Sequence, residues 1–496
     1  MFKNIIANYV GKFWSIISVF LFVPFYVKLL GIESYAVISF YTVILTIMYF
    51  ADGGLSATLN MEIARSSDKL YIGRMLFTIE RLYLIICASI ILLIFSFSEI
   101  IAKNWLNSQS ISLGDLSLYI SLMGISVAFH LFTTLQSSGL MGLEKQVISN
   151  SIQVASSIFR SALVLLPLYF YPTLLTFFLW QVFSNIVFFF ITRYSLWKFI
   201  RTNATYEFDI KILKTVGRFA GGMMIMAVIS SLNTQIDKLV ISKFLSLKEF
   251  GYYSLAGVLS QVPVLLITPI ALAILPRMVK YSANREKDKL KRLFHVNTFI
   301  LSALSASAAM VLFLFTKDFI LIWTHDSLIA NSIENVTKVL LIGGVFLSFQ
   351  YMPYHLAIAN GHTRTNVRLG IVALICIIPT LIFFVKQYGM IGATYTWLFM
   401  NLFAFLYLGY FIISKFLKNE FRKWLIYNTL IPLGISIIVG LVGYFSTINL
   451  PKGNFVIIYS IVIGSINICI NVVIFNMLFN KTIKIKLRTL LNNLNF

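Results

Sequence analysis

Residues 82–98 read LYLIICASIILLIFSFS, a run without a single charged side chain. With its flanks this run forms an apolar stretch over residues 78–101, which as a helix is long enough to cross a hydrocarbon core about 30 Å thick. Similar stretches recur along all 496 residues, of which 59% are hydrophobic and only 12% are charged. Since soluble domains carry about 25% charged residues, this composition predicts an all-α integral membrane protein.

The spacing of the apolar stretches predicts about fourteen transmembrane helices joined by short loops. Their expected positions are residues 5–27, 34–55, 78–101, 117–140, 149–171, 174–197, 217–242, 250–274, 295–316, 337–359, 368–385, 390–414, 423–446 and 454–479. In this topology 27 of the 40 lysine and arginine residues lie on one side of the membrane, and eight lie in the loops on the other. Because cytoplasmic loops carry the excess of basic residues, we expect a multi-pass protein of the bacterial inner membrane with both termini in the cytoplasm. The same bias explains the net charge of +22, so we predict no nucleic-acid partner.

The sequence contains no recognisable motif for catalysis or metal binding. Cys87, Cys376 and Cys469 all lie in apolar stretches and lack the spacing of metal ligands, so we expect no metal site. The sequence contains no Gly-rich phosphate loop, no paired carboxylates and no nucleophile motif. We therefore predict that the protein is not an enzyme and uses no cofactor.

An internal repeat relates two regions of the chain about 215 residues apart. At offsets of 215 and 217, similar residues recur on matching predicted helices; the pairs are Lys28 and Lys243, Leu30 and Leu245, Tyr35 and Phe250, Ser39 and Ser254, Arg65 and Lys280, Trp180 and Trp397, Lys198 and Lys415, and Phe199 and Phe416. The repeat predicts two six-helix halves, residues 1–215 and 216–420, followed by two additional helices and a basic tail in residues 421–496. An even number of helices per half makes the halves parallel, as in transporters that bind substrate between two repeats.

Several motifs along the chain are similar to those of a known transporter family. They are Asn8, Pro24, Leu30-Gly31-Ile32-Glu33-Ser34-Tyr35, Ala51-Asp52-Gly53-Gly54-Leu55, Gly139-Leu140-Met141-Gly142-Leu143-Glu144, Asn233-Thr234-Gln235-Ile236-Asp237-Lys238, Gly251-Tyr252-Tyr253-Ser254-Leu255-Ala256, Pro263, Pro276 and Asn360-Gly361-His362. Over about its first 415 residues the chain resembles the Wzx-type polysaccharide flippases of the MOP superfamily, which also contains the MATE drug exporters and the lipid II flippases.

The resemblance implies a flippase for an undecaprenyl-pyrophosphate-linked oligosaccharide, such as an O-antigen or capsule repeat unit. Such a protein moves its substrate from the cytoplasmic to the periplasmic leaflet by alternating access. The resemblance also implies a polar cleft lined by the first, second, seventh and eighth helices. The partners it implies are membrane lipid and, in a complex, a polysaccharide polymerase with its chain-length machinery. It does not identify the sugar.

Two other functions compete with this interpretation. One is a cation-coupled exporter of small molecules or drugs. The other is a membrane enzyme of the same pathway, a polysaccharide polymerase or an acyltransferase. A polymerase would be expected to carry catalytic polar residues on a long periplasmic loop, but the longest outside loop, residues 323–336, contains no acid–base constellation.

Arg160 and Lys12 are the predicted substrate-binding residues. An ionisable group in the hydrocarbon region costs about 2.5–3.5 kcal/mol, so each such group suggests a function. Arg160, near the middle of the fifth predicted helix, has a guanidinium that could hold the pyrophosphate bidentately or could pair with another helix. Lys12, in the inner third of the first helix, could contact a lipid phosphate at the cytoplasmic entrance or could neutralise Asp52.

Three further side chains are predicted to act in ion coupling or as structural charges. These are Asp52 in the second helix, Asp237 near the outer end of the seventh, and His130 in the middle of the fourth. Histidine titrates near neutral pH, but a lone histidine on a helix also serves simply in packing. Pro263 and Pro269 break the backbone hydrogen bonding of the eighth helix twice, which favours either a hinge or a static kink.

Overall fold

The computed structural model describes residues 14, 18, 20–202, 205–362, 364–450, 453 and 455–479, without the side chains of residues 213–227, 230 and 479. In chain order the helices are α1 Phe20–Leu30, α2 Ile32–Met48, the 3-10 helix Tyr49–Asp52, α3 Leu55–Arg65, α4 Lys69–Asn104, α5 Leu113–Gly142, α6 Gln146–Ser161, α7 Leu165–Phe170, α8 Leu174–Ile200, α9 Ile210–Phe244, α10 Leu247–Ser260, α11 Val262–Ala283, α12 Lys287–Leu314, α13 Thr316–Thr324, α14 Ser327–Ala359, α15 Arg364–Phe416, α16 Phe421–Lys423, the π-helix Trp424–Leu430, α17 Ile431–Ser446 and α18 Phe455–Phe479.

Within the described residues, 11 helices are long and apolar enough to cross a membrane. The predicted fold class, an all-α membrane protein with many spans, is confirmed. Every predicted span from residues 34–55 onward overlaps one of these 11 helices, α9 or α10. The long helix α15 covers two predicted spans, which meet at the non-helical Gly389. The count of fourteen stays a prediction.

Helix ends recur at the offset of the sequence repeat. α1 ends at Leu30 and α9 at Phe244, while α2 begins at Ile32 and α10 at Leu247. The two helix ends are thus 214 residues apart and the two helix starts 215 residues apart. The division of the chain at residues 215 and 420 remains a prediction.

By packing, the chain groups into two compact units. The first comprises Met1–Ser254 with Leu374–Met390, and the second comprises Leu255–Ala373 with Ile391–Phe496. In the first unit α9 packs against α2, the 3-10 helix, α3 and α4, which explains why residues beyond 215 group with it. In the second unit α11, α12, α14 and the last part of α15 enclose an apolar core that includes the fully buried Trp424.

The second predicted span is not one continuous helix. α2 tightens into the 3-10 helix Tyr49–Asp52, and two left-handed glycines, Gly53 (φ 56°) and Gly54 (φ 80°), then redirect the chain into α3. Only glycine adopts this conformation readily, because the Cβ of other L-residues clashes there. The predicted span over residues 34–55 corresponds to α2 together with the 3-10 helix, which cover Ile32–Asp52.

The fifth predicted span is also interrupted, because α6 ends at Ser161 and α7 begins at Leu165. Pro167 accounts for the interruption, since proline has no N–H and its ring clashes with the carbonyl four residues earlier. Arg160 consequently lies in the last turn of α6 and not in the middle of a continuous helix. Both interruptions fall in the first unit.

Candidate functional site

Arg160 is a cation that forms no ion pair with a carboxylate in the described part of the chain. Its Nη1 lies 3.0 Å from Nδ1 of His130 on α5. Its Nε is buried and has no hydrogen-bond partner among the described residues. The guanidinium thus keeps its charge and part of its donor capacity.

Side chains from two other helices hold the last turn of α6 in place. A helix end leaves carbonyls without intrahelical partners. Here Trp180 Nε1 donates to the Phe159 carbonyl at 2.8 Å, and Gln181 Nε2 donates to the Arg160 carbonyl at 3.0 Å. The Tyr26 hydroxyl of α1 donates to the Ser161 carbonyl at 2.6 Å. The interruption before Pro167 is therefore stabilised from α1 and α8, and the Arg160 backbone is fixed.

His130 lies near the middle of α5 and links Arg160 to the interrupted second span. The Tyr49 hydroxyl, from the 3-10 helix, lies 3.0 Å from His130 Nε2. Arginine only donates hydrogen bonds, so Nδ1 accepts from Arg160 and the ring proton of neutral His130 resides on Nε2. The predicted residues His130 and Arg160 are therefore in direct contact, and Tyr49 extends this chain of hydrogen bonds.

Asp52 closes the same 3-10 helix. Its carboxylate accepts the Ser56 backbone N–H at 3.1 Å and the Ser56 hydroxyl at 2.5 Å, and the Tyr83 hydroxyl of α4 also donates to it. The first of these bonds caps the start of α3, where a negative charge is favourable. Lys12, the predicted partner of Asp52, lies outside the described residues, so their pairing stays a prediction.

Asp237 on α9 is not part of this cluster of contacts. Its Oδ2 accepts a hydrogen bond from the Tyr253 hydroxyl of α10 at 2.7 Å. Among the described ion pairs there is none between Asp237 and the adjacent Lys238, as expected for neighbouring residues that point about 100° apart on a helix. The contact joins α9 to α10, and a role in ion coupling stays a prediction.

Pro263 and Pro269 lie beside an interruption in the eighth predicted span. α10 ends at Ser260, Gln261 intervenes, and Pro263 lies in the first turn of α11, where its missing N–H is tolerated. Pro269 lies inside α11, where it removes one backbone hydrogen bond. The structure thus places Pro263 at a helix start and Pro269 within a helix; their role as hinges stays a prediction.

Sequence reasoning missed the neutral partners of the charged residues. Tyr49, Ser56, Tyr83 and Gln181 all contact predicted site residues, yet none is distinctive in an aromatic-rich membrane sequence. Asp52-Gly53-Gly54 was a readable signal, because an Asp-Gly-Gly sequence within an apolar run indicates a turn.

The comparisons with known proteins agree with this architecture. A family model described as "Polysaccharide biosynthesis protein" matches residues 1–282, and a second, MatE, matches residues 222–383. A putative O-antigen transporter of Shigella flexneri is 22% identical over 401 residues, which cover 80% of this chain and 93% of that protein.

Two solved structures are similar in fold. The lipid II flippase MurJ, in an inward closed conformation, superposes with a TM-score of 0.75 at 17% identity and covers 96% of this chain and 99% of its own. An inward-facing multidrug resistance MATE transporter of the MOP superfamily superposes with a TM-score of 0.68 at 15% identity, covering 82% and 96%. The predicted resemblance to Wzx-type flippases of the MOP superfamily is confirmed, and since the first family model matches more than half of its residues, the chain belongs to the polysaccharide biosynthesis protein family.

Proposed function

We propose that the protein carries an undecaprenyl-pyrophosphate-linked oligosaccharide from the cytoplasmic to the periplasmic leaflet by alternating access, and that Arg160 binds the pyrophosphate. The family, the curated O-antigen transporter and the fold of a lipid II flippase support a lipid-linked substrate. The finer claim, the role of Arg160, rests on the chemistry of its surroundings.

The observation that carries the proposal is that the partner of Arg160 is neutral. A guanidinium that is held by His130, without a carboxylate among the described residues, retains its full positive charge. A phosphate oxygen is a stronger acceptor than an imidazole nitrogen, and arginine binds phosphate in a bidentate geometry. The site therefore favours a phosphorylated lipid over a neutral one.

The surface of α6 that leads to Arg160 is polar. Gln153 and Ser157 precede Arg160 at intervals of four and three residues, so the three side chains lie along one face of the helix. Gln153 is exposed, while Ser157 and Arg160 are half-buried. A polar face of this kind is unfavourable against lipid and favourable along a hydrated path, as a sugar headgroup requires.

The test is surface polysaccharide display in cells whose own copy of this gene has been deleted. Arg160→Ala should abolish display at normal protein abundance, and Arg160→Lys should restore part of it, because lysine keeps the charge but lacks the planar fork. Arg81→Ala is the matched control, since Arg81 is an exposed arginine of α4 that lies 5.0 Å from the Phe77 ring. Normal display with Arg160→Ala would refute the proposed role.

The exporter alternative is supported by one observation, the match of the MatE model to residues 222–383. It predicts that deletion of the gene raises drug susceptibility and leaves polysaccharide display intact. The flippase proposal predicts the reverse, so both phenotypes should be measured in the same deletion strain.

A further inference from the structure

The imidazole of His130 has one partner on each ring nitrogen, Tyr49 at Nε2 and Arg160 at Nδ1. We infer that His130 is a second phosphate ligand: the diphosphate displaces Nδ1 from Arg160, and His130 takes up one proton from solvent and donates it in a hydrogen bond to the anion. The inference rests on the proposed function, because it assigns a second contact to the same anion.

The present contact between His130 and Arg160 requires a neutral imidazole. If both ring nitrogens carried a proton, both groups would be donors and two cations would face each other at 3.0 Å. Protonation therefore breaks this bond and leaves two cations side by side. A doubly charged anion between them removes the repulsion and satisfies both donors.

The contacts around the pair allow such an exchange. Arg160 and His130 are both half-buried, so neither residue is completely enclosed by the described residues. The Arg160 Nε is buried without a described partner, which marks a guanidinium that is only partly satisfied where it lies. Tyr49 can serve His130 in either state, since its hydroxyl accepts the proton on Nε2 in the neutral and in the protonated imidazole.

Among the described residues, few other titratable groups lie near the pair. They are Tyr26 of α1, Tyr41 of α2, Tyr49 and Asp52 of the 3-10 helix, and Tyr83 of α4, while α8 contributes the uncharged Asn185 and Gln181. Unperturbed tyrosines titrate near pH 10, well above the range in which histidine does. Between about pH 5 and 8, His130 is therefore the group that the test has to isolate, and an Asp52 variant controls for the carboxylate of the same 3-10 helix.

The test is anion binding by the purified full chain in detergent, with sulfate as the probe. Sulfate carries two negative charges throughout this pH range, so any pH dependence belongs to the protein. Binding is measured as the rise in thermal stability over chloride at equal ionic strength. We expect the apparent dissociation constant to increase as pH rises, by up to about tenfold per pH unit, because one proton is bound with each anion.

Three variants decide the outcome. His130→Gln keeps a donor and an acceptor but cannot titrate, so its sulfate binding should be weaker and independent of pH. Asp52→Asn should keep the pH slope of the unaltered protein. Arg160→Ala measures the unspecific stabilisation by sulfate, which must be subtracted.

A binding constant that does not change with pH, or a slope that survives in His130→Gln, would overturn the inference. The same holds if sulfate stabilises the unaltered protein no more than Arg160→Ala at any pH. Loss of display in Arg160→Ala together with pH-independent binding would leave the proposed function standing and remove only the role of His130. Normal display in Arg160→Ala would instead remove the proposed function itself.

Discussion

Glu80 on α4 and Arg193 on α8 form an ion pair, with Nη2 of the arginine 3.0 Å from Oε2 of the glutamate. The indole N–H of Trp197 also donates to the Glu80 carboxylate, at 3.2 Å. Glu80 is buried, whereas Arg193 keeps nearly half of its side chain exposed. The arginines at 193 and 160 look alike in the sequence, but the first is neutralised by a carboxylate and the second is not.

Removing the Arg193 side chain should lower stability and spare transport. Arg193→Leu leaves the buried Glu80 carboxylate with only the Trp197 donor, and we expect a loss of about 1–3 kcal/mol in unfolding free energy. The measurement is the thermal midpoint of the purified protein, with polysaccharide display normalised to protein abundance. Arg81→Leu is the control and should shift stability by less than about 0.5 kcal/mol. If Arg193→Leu lost polysaccharide display even after normalisation to protein abundance, the ion pair would have a role in transport beyond stability.

Acid should destabilise the second unit through Glu420, which lies between α15 and α16. Lys291 donates to this carboxylate, and His295 Nε2 and Lys423 Nζ lie 2.9 Å and 3.7 Å from Oε2. Burial opposes ionisation of the carboxyl, but Lys291, Lys423 and His295 outweigh burial and lower the pKa of Glu420 below its ordinary 4.5. The resulting stability is complete above that ordinary value and is lost as pH falls through the lower pKa of the folded state.

The thermal midpoint should therefore fall when pH is lowered from about 5 toward 3, and by less in Glu420→Gln, which cannot ionise. Glu99→Gln, which removes an exposed carboxylate of α4, should follow the unaltered protein. If the thermal midpoints of Glu420→Gln and the unaltered protein fell equally with pH, groups other than Glu420 would cause the acid sensitivity.

The sequence predicts the membrane spans well because each must satisfy the same requirement, an apolar stretch of about 20 residues. It predicts the depth of Arg160 less well. The apolar run 149–171 is continuous in composition, but Pro167 ends α6 at Ser161, so the charge lies at a helix end with three side chains on the neighbouring carbonyls. The proline was visible in the sequence, yet only the fold shows which residues take over the freed carbonyls.

The contact between His130 and Arg160 could not be read from the sequence. The two residues are 30 positions apart on different helices, and no periodicity relates the facing sides of α5 and α6. The same is true of Glu80 and Arg193, which are separated by 113 positions. Polar residues in the membrane can be identified from the sequence alone, but their partners depend on how the helices pack.

The orientation can be tested by reporter fusions in the loops between helices. Fusions after Ser67 and after Arg285 should report a cytoplasmic location, and a fusion after Leu450 a periplasmic one, because the basic segments beside the first two positions fix them inside. Paired reporters, one active in each compartment, provide the control. A periplasmic signal after Arg285 would be incompatible with the predicted topology.

Replacing the glycines that interrupt the second span should abolish transport while the protein remains folded. Gly53 and Gly54 have φ values of 56° and 80°, and an alanine in this conformation costs about 1–2 kcal/mol, so Gly53→Ala and Gly54→Ala favour a right-handed continuation of α2 into α3. That continuation would rotate Asp52 away from the start of α3 and shift Tyr49 relative to His130. These two residues make the contacts that position the candidate site.

Gly53→Asn should be milder than Gly53→Ala, since asparagine tolerates the left-handed region. Gly114→Ala, in the first turn of α5 with open space around its Cβ position, should be neutral or slightly stabilising. Polysaccharide display and thermal midpoint are measured for these four variants and for the Gly53→Ala, Gly54→Ala double variant. Full display by a stable double variant would show that the interruption is not needed for transport.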